Sequence, residues 1–245
     1  MSQVELHYLP INEHGFDIDL EHAVDYLDQF ETERYHRYKN DHAQKCFLQA
    51  RRIAKIELAK KLNCAPSDVV FDYTETEKPY LKPFLCAQSG QWHFNISHSQ
   101  TAIVVGISET LVGVDVEDIS RCKKVWRSAE NFLNAYVKSC VDRGRSDTES
   151  AAIFAEHWTC TESYIKLKGS AIYREKDRVI TRPQANFSAG SYKTFEDSCF
   201  TVFNFSDDVR IAVAVENDFP DIALSYWRTG EQRRYTPEAA IKPTR

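Results

Sequence analysis

Two acidic residues follow a glycine within residues 112–117, and their spacing suits a divalent cation. Alternate residues of an extended strand face the same side, so Gly113, Asp115 and Glu117 share one face. Two carboxylates on one strand face destabilise the folded state unless they are exposed, protonated or bound to a cation. Mg²⁺ binds a few carboxylate oxygens and keeps waters and substrate phosphates as its other ligands. The pattern therefore indicates either a magnesium site or the polar outer face of an antiparallel strand.

A second acidic and basic pair lies in a segment with helical periodicity. Trp158, Glu162 and Lys166 recur every four residues and share one helix face. Glu162 would supply a third oxygen ligand, and Lys166 would place a cation beside a phosphate. The alternative is a surface Glu–Lys pair, which contributes only about 0.3–0.5 kcal/mol to stability. The spacing leaves both interpretations open.

Polar side chains also cluster at residues 95–99, Asn-Ile-Ser-His-Ser, where a predicted strand ends. Ser97 and the turn amides would donate to a phosphate, and His98 is of the type that most often exchanges protons near neutral pH. The alternative is a turn whose side chains satisfy its own backbone. Lys78 before Pro79 is a weaker signal, because a lone lysine before a proline is usually a loop residue.

The sequence lacks the common nucleotide and hydrolase motifs. It contains no GxxxxGK[ST], no GxGxxG after a strand, no HExxH and no GxSxG. Carboxylates, a histidine and basic residues remain, without a protein nucleophile beside an obvious base. This combination favours metal-assisted transfer at phosphorus, in which positioning and charge neutralisation dominate.

Hydrophobic spacing predicts the elements that position these residues. Alternating or continuous apolar runs predict strands at 4–8, 94–97, 102–107 and 111–117, and a hairpin of 199–205 with 209–215. Helical spacing predicts helices over 19–30, with Asp19 as N-cap, over 41–62, over 125–141 and over 146–168. Ser146 and Glu149 have capping-box spacing at the start of the last helix, and Gly169 suits the position just after it.

Part of the sequence occurs twice. Phe-Asn-Ile-Ser at 94–97 and Phe-Asn-Phe-Ser at 203–206 each precede an apolar run, and both halves place helices before a hairpin. We therefore expect a duplicated α+β unit with its boundary near residue 110. The predicted parts are 1–110, 111–227 and a flexible polar tail at 228–245, with a site between the two halves.

Composition narrows the class of protein. The 245 residues have a formal charge of −5, which argues against a nucleic-acid partner. No apolar run approaches 18 residues and the first ten residues do not resemble a secretory signal, so we expect no membrane partner and a cytoplasmic location. Seven cysteines without a CxxC pair indicate free thiols.

Four of these segments, in this order, resemble one protein family. They are Lys-Pro-Tyr at 78–80, residues 94–99, residues 112–117 and the segment WTCTESYIK at 158–166. Together they resemble the 4′-phosphopantetheinyl transferase superfamily, in its larger, surfactin-synthetase-activating class. Residues 31–34 also resemble this family, so the resemblance covers most of the chain.

The resemblance implies a reaction and a fold. Such enzymes transfer the 4′-phosphopantetheine arm of coenzyme A to a serine of an apo carrier protein and release adenosine 3′,5′-bisphosphate. It also implies a monomer with a pseudo-twofold axis, in which each half is a small antiparallel sheet packed with helices. Coenzyme A would lie between the halves, with its nucleotide on the side of residues 1–110. Acyl, polyketide and peptidyl carriers all remain open.

The resemblance also assigns roles to individual residues. Asp115, Glu117 and Glu162 would hold Mg²⁺ against the pyrophosphate of coenzyme A. Glu162 would help to deprotonate the carrier serine, and Lys166 would stabilise the leaving bisphosphate. The residues expected to contact coenzyme A are Arg34, Lys78, Pro79, Ser97, His98 and Lys166, and those expected to act in catalysis are Glu162, Lys166 and His98.

The sequence departs from the family pattern in three places. Thr161 stands where a lysine commonly precedes the motif glutamate, and Glu77 stands where a glycine usually precedes Lys-Pro. An acidic residue is missing from 132–137, which favours Glu162 as the base. Two alternatives follow: a non-catalytic homologue that binds coenzyme A and carrier, and a metal-dependent phosphodiesterase with the same carboxylates.

Overall fold

Two larger β-sheets pack face to face in the described part of the chain, each covered on its outer side by a helix, and a third, two-stranded sheet pairs Phe71–Tyr73 with Pro79–Leu81. The computed structural model describes residues 3–11, 24–75, 77–86, 90–129, 135–170, 190–193, 198–204, 206–216, 221–228 and 231–233. The strands are β1 Gln3–Pro10, β2 Phe71–Tyr73, β3 Pro79–Leu81, β4 His93–His98, β5 Ala102–Ser108, β6 Val112–Asp118, β7 Gly190–Lys193, β8 Ser198–Asn204, β9 Val209–Glu216, β10 Asp221–Arg228 and β11 Glu231–Arg233. The α-helices are α1 Gln29–Arg37, α2 Asp41–Leu62, α3 Pro83–Cys86, α4 Ile119–Val125, α5 Ala135–Val141 and α6 Asp147–Lys168. Short 3₁₀ helices cover Val24–Tyr26 and Pro66–Asp68.

The two sheets have related connectivity. The first has strand order β11-β10-β1-β5-β4, and the second has order β6-β9-β8-β7. In each, an initial strand pairs with the last strand of a later hairpin, and a 22-residue helix, α2 or α6, lies between them in sequence. The predicted α+β class and the repetition of its unit are therefore confirmed.

The strand β10 returns from the second half to the first sheet. It pairs in parallel with β1, whereas the other described strand pairs are antiparallel. The strand β11 then pairs with β10 at positions where the sequence predicts a flexible tail. Positions 234–245 of that predicted tail lie outside the described residues. The division at residue 110 stays a prediction, although β5 ends and β6 begins on either side of it.

Apolar side chains fill the space between the layers. Val104 of β5, Val114 of β6 and Val213 of β9 are fully buried between the two sheets. On the outer face of the first sheet, Ile53 of α2 packs against the buried residues of β5. On the outer face of the second sheet, α6 packs through Tyr164 and its apolar neighbours. These layers hold the edge strands β4 and β6 next to each other.

Helix ends follow local capping chemistry. The predicted helix over 41–62 is confirmed, and the Asn40 side chain accepts from the amide of Ala43 at its start. The α6 helix begins as predicted, because Ser146 Oγ accepts from the amide of Glu149 at 3.2 Å. It ends where Gly169 adopts the left-handed conformation with φ 63°.

Two helix predictions differ from the structure. The predicted helix over 125–141 is confirmed over Ala135–Val141 and wrong at 126–129, where α4 has ended in turns; positions 130–134 lie outside the described residues. The hydroxyl of Ser128 donates to the carbonyl of Val125 at 2.7 Å, a side-chain bond that competes with continued helix. The predicted N-cap Asp19 lies outside the described residues, whereas α1 begins after Asp28, which caps it.

The structure also bears on the membrane and cysteine predictions. In the described ranges, no helix is long and apolar enough to cross a membrane. Six of the seven cysteines have described side chains, and none of these six forms a disulfide.

Candidate active site

The edge strands β4 and β6 are joined by side chains rather than by a shared backbone ladder. Asn95 Oδ1 accepts from the amide of Val114 at 2.9 Å, and Ser97 Oγ accepts from the amide of Val116 at 3.3 Å. Because these β4 residues alternate, both face β6. They satisfy buried amides that the edge of the second sheet would otherwise leave unpaired. The polar run at 95–99 thus links the two sheets.

The same linkage continues at Asp118, whose role sequence reasoning missed. Its carboxylate accepts from the hydroxyl of Ser99 and the amide of Gln100, each at 2.9 Å, and from the hydroxyl of Thr101. This fixes the turn between β4 and β5 against the end of β6. The available signal was the third acidic residue of the run Asp-Val-Glu-Asp, which follows the other two along the strand.

Gly113 allows α6 to lie directly against β6. A Cβ atom at this position would lie 1.9 Å from the carbonyl oxygen of Ser163 and 2.6 Å from the amide nitrogen of Leu167. No side chain fits between this strand and the helix backbone. The close approach places the helix face of Glu162 and Lys166 beside the strand face that contains Asp115.

Asp115, Ser97 and Lys166 form the centre of the site. Lys166 Nζ lies 2.6 Å from Asp115 Oδ1 and donates to Ser97 Oγ at 2.8 Å. The hydroxyl of Ser97 in turn donates to Asp115 Oδ1 at 2.8 Å. Asp115 is only 3% exposed, so the polar-outer-face interpretation of this strand is wrong at its central residue. Its other oxygen, Oδ2, is buried without a hydrogen-bond partner among the residues that the structure describes.

The charge of Asp115 affects the pKa of two neighbouring carboxylates. Burial, followed by the charge of Asp115, raises the pKa of Glu117 to about 8. Burial and the charge of Asp115 also raise the pKa of Glu162, while Lys166 opposes that rise. Asp115 is therefore close enough to each of the other two predicted metal ligands to raise its pKa, and a cation beside them would favour the ionised forms.

The chemistry of this donor set fits a divalent cation. Asp115 Oδ2 is a buried oxygen with lone pairs to offer, and carboxylates are the ligands that hard cations prefer. Within the described part of the chain, no three histidine, cysteine or carboxylate side chains already form a metal cage.

Glu117 also faces the beginning of α4. Its carboxylate lies 3.6 Å from Arg121 Nη1, and the thiol of Cys122 lies 4.0 Å from it. These residues line a cavity of about 250 Å³ whose opposite wall is formed by Phe154 and Trp158. The face that Trp158 shares with Glu162 is therefore partly covered, which argues against the surface Glu–Lys interpretation.

Lys78 reaches the same helix from the turn between β2 and β3. Its ammonium donates to the carbonyl of Lys166, and burial lowers its pKa to about 8. Lys78 and Pro79 line a cavity of about 660 Å³ together with Trp92 and Leu111. The structure thus brings Lys78, Lys166 and Asp115 into one connected group.

His98 and Thr161 lie at the margins of this group. His98 is partly exposed at the end of β4; burial, then the charges of Lys166, His42 and Arg121, lower its pKa. The hydroxyl of Thr161 donates to the carbonyl of His157 within α6 at 2.9 Å. Because this hydroxyl is bound within the helix, Thr161 does not take over the role of the lysine that is usual there. Of the region without the usual acid, positions 132–134 lie outside the described residues.

Arg34 lies apart from the central carboxylates, on α1. It pairs with Glu77 at 3.1 Å. The helix is anchored by Glu31, which is fully buried and bound by Arg51 at 2.9 Å and Lys55 at 2.6 Å. Arg34 is therefore held on a fixed helix.

Comparison with known proteins decides the family. A family model described as 4′-phosphopantetheinyl transferase, N-terminal, matches residues 15–110, and a model of the 4′-phosphopantetheinyl transferase superfamily matches residues 111–214. The chain belongs to the 4′-phosphopantetheinyl transferase superfamily. The predicted superfamily, its surfactin-synthetase-activating class and the enzyme class of phosphopantetheinyl transferase are thereby confirmed. This superfamily depends on coenzyme A and a divalent metal.

Curated members of the superfamily show modest sequence identity to the chain. The 4′-phosphopantetheinyl transferase HetI of a Nostoc species is 28% identical over 172 residues, which is 70% of each chain. The 4′-phosphopantetheinyl transferase gsp of Aneurinibacillus migulanus is 33% identical over 118 residues, 47% of this chain and 45% of the relative. An L-aminoadipate-semialdehyde dehydrogenase-phosphopantetheinyl transferase of Eremothecium gossypii is 28% identical over 131 residues, 51% and 45% respectively.

Proposed function

We propose that this protein transfers 4′-phosphopantetheine from coenzyme A to a serine of an apo carrier protein and releases adenosine 3′,5′-bisphosphate. Transfer of phosphopantetheine is the activity of the superfamily to which the chain belongs. The observation that supports it most directly is the buried carboxylate of Asp115, with one oxygen bound to Lys166 and the other without a partner in the described residues. Glu117 and Glu162 lie close enough to Asp115 for its charge to raise the pKa of each.

We assign a magnesium ion to Asp115, Glu117 and Glu162. The unpartnered oxygen of Asp115, and the effect of its charge on the pKa of Glu117 and of Glu162, support this assignment. When bound, the ion supplies positive charge that neutralises the pyrophosphate of coenzyme A.

Glu162 is the proposed base for the carrier serine. The lack of an acidic residue at 132–137 favours Glu162 over a base in that segment. As Glu162 takes the proton, the serine oxygen bonds to the phosphorus attached to pantetheine. The bond from this phosphorus to the bridging oxygen breaks, and the adenosine bisphosphate leaves with the electron pair.

Lys166 is the proposed partner of the leaving group. Its ammonium lies at the centre of the site, 2.6 Å from Asp115, and its stem lies on the helix face of Glu162. Stabilising charge that develops on a departing phosphate is a large catalytic contribution of such a cation. Lys78, tied to the carbonyl of Lys166, would keep this helix turn in place beside the nucleotide.

The remaining proposed contacts with coenzyme A surround this centre. Arg34 would bind the ribose phosphate, Pro79 would pack near the nucleotide, and His98 would contact the phosphates and exchange protons. A contact from Ser97 to phosphate would require its hydroxyl to leave Asp115, so the bonds of Ser97 support a role in positioning Asp115 and Lys166.

We further propose that the enzyme acts as a cytoplasmic monomer on a carrier protein or carrier domain. The lack of a disulfide among the six described cysteines supports a reducing compartment. The net charge of −5 supports the absence of a nucleic-acid partner.

The direct test combines the protein, coenzyme A and Mg²⁺ with apo carriers of the acyl, polyketide and peptidyl types. We expect intact mass spectrometry to show a carrier heavier by one phosphopantetheine and an equivalent release of adenosine bisphosphate. A carrier whose acceptor serine is replaced by alanine is the control. Release of the bisphosphate without any carrier would indicate a phosphodiesterase, and binding of coenzyme A without transfer would indicate a non-catalytic homologue.

A further inference from the structure

Glu77 occupies a backbone position that suits glycine. It lies in the turn 74–78 between β2 and β3 and has a φ of 59°, in the left-handed region that residues with a Cβ atom rarely adopt. The amide of Glu77 donates to the carbonyl of Thr74 at 2.9 Å, and the amide of Thr74 donates to the carbonyl of Lys78 at 3.0 Å. The turn is therefore closed by its own backbone, and the direction of the Glu77 side chain is set by it.

The carboxylate of Glu77 lies on Arg34. Its Oε2 is 3.1 Å from Arg34 Nη2, and the guanidinium carbon of Arg34 lies 5.9 Å from the centre of the Tyr73 ring. The Arg34 side chain is 26% exposed, whereas that of Glu77 is 75% exposed. The arginine is therefore held against the protein, and the glutamate approaches it from the solvent side.

This ion pair lines a cavity that suits a phosphorylated nucleoside. Arg34 and Glu77 surround a volume of about 250 Å³ together with Phe30, Arg37 and Tyr38. Guanidinium groups bind phosphate through charge-assisted hydrogen bonds, and the aromatic rings offer apolar surface to a base. The Glu77 carboxylate binds the Arg34 guanidinium that a phosphate would otherwise bind. Its negative charge also repels the phosphate.

We propose that Glu77 determines specificity by competing with the ribose phosphate of coenzyme A for Arg34. This inference rests on the proposed function, in which Arg34 binds that phosphate. The glutamate lowers the preference of the enzyme for coenzyme A over its 3′-dephospho form, because only the former must displace it. Because the Arg34–Glu77 ion pair is largely exposed, breaking it changes the affinity for coenzyme A by about 1.5- to 5-fold.

The test measures dissociation constants of coenzyme A and 3′-dephospho-coenzyme A by calorimetry. Glu77→Gln keeps the side-chain size and removes the charge, so it is expected to lower the constant for coenzyme A by about 1.5- to 5-fold and to leave the other unchanged. Glu75→Gln removes the same charge from the same turn and is expected to change neither. Arg34→Gln is expected to abolish the preference, and adding Glu77→Gln to it is expected to have no further effect.

Three results would overturn this inference in an enzyme that still transfers phosphopantetheine. The first is a Glu77→Gln variant whose affinity changes equally for both nucleotides, and the second is one whose affinity for coenzyme A is unchanged. The third is weaker binding of coenzyme A by Glu77→Gln, which would mean that the glutamate positions Arg34 instead of competing for it. A wild-type protein that neither binds coenzyme A nor modifies a carrier would contradict the proposed function itself.

Discussion

The contact between Gly113 and α6 predicts a large loss of transfer from a single added methyl group. The Cβ of a Gly113→Ala variant would begin 1.9 Å from the carbonyl oxygen of Ser163. Because ordinary carbon–oxygen contacts are about 3.3 Å or longer, the helix would have to move back by roughly 1.4 Å. Misplacement of catalytic groups by about 1 Å costs about 10²-fold in rate. We therefore expect kcat to fall by about two orders of magnitude.

The assay for Gly113→Ala must separate lost geometry from lost folding. Overpacking costs about 1–3 kcal/mol of stability, so the melting temperature should also fall while the protein stays folded at 25 °C. Gly144→Ala is the matched control, because its Cβ would lie 2.3 Å from Ser150 Oγ, at the other end of α6. It should lose stability and keep its kcat per folded molecule. A Gly113→Ala variant with the wild-type kcat would refute the reasoning that backbone contact positions Glu162 and Lys166.

Three further predictions concern the β4–β6 contact and the charges beside it. Asn95→Ala leaves the buried amide of Val114 without its acceptor, so chemical denaturation should show a loss of about 1–3 kcal/mol. Lys166→Met should abolish transfer to a carrier in a mass-spectrometric assay while the circular dichroism spectrum stays unchanged. Because the pKa of Glu117 is raised in the fold, its protonated form is stabilised, and without added metal the stability should fall as the pH rises from about 5 through about 8. Glu117→Gln should flatten that fall in melting temperature, and an unchanged slope would contradict the burial argument.

Local chemistry explains which elements could be predicted from sequence. The α2 and α6 helices begin after the capping side chains of Asn40 and Ser146, and α6 ends at Gly169, so these bounds follow from local sequence. Just after α4 the hydroxyl of Ser128 donates to the carbonyl of Val125, a bond that periodicity does not reveal. The return of β10 to β1 depends on pairing between the two ends of the chain, and alternation of residues does not identify a partner strand.

In the site, too, the spacing of residues along the chain could be predicted from sequence, whereas contacts between distant residues could not. Strand alternation places Asp115 and Glu117 on one face, and helical spacing places Glu162 and Lys166 on another. The contact between these two faces depends on Gly113, because the backbone of α6, 50 residues further along the chain, packs directly against it. The sequence likewise shows that residues 95–99 can form hydrogen bonds. It does not show that their partners lie on β6, because those partners depend on the packing of one sheet against the other.

The central claim is that Asp115 belongs to a metal-assisted transfer site at the junction of the two sheets. The most direct measurement compares Asp115→Ala with the wild type in Mg²⁺-dependent phosphopantetheinylation of an apo carrier, with the melting temperature recorded for both. We predict that the variant stays folded and loses nearly all transfer, because it lacks the buried oxygen that no described residue satisfies. A folded Asp115→Ala protein that modifies the carrier at the wild-type rate would contradict the assignment.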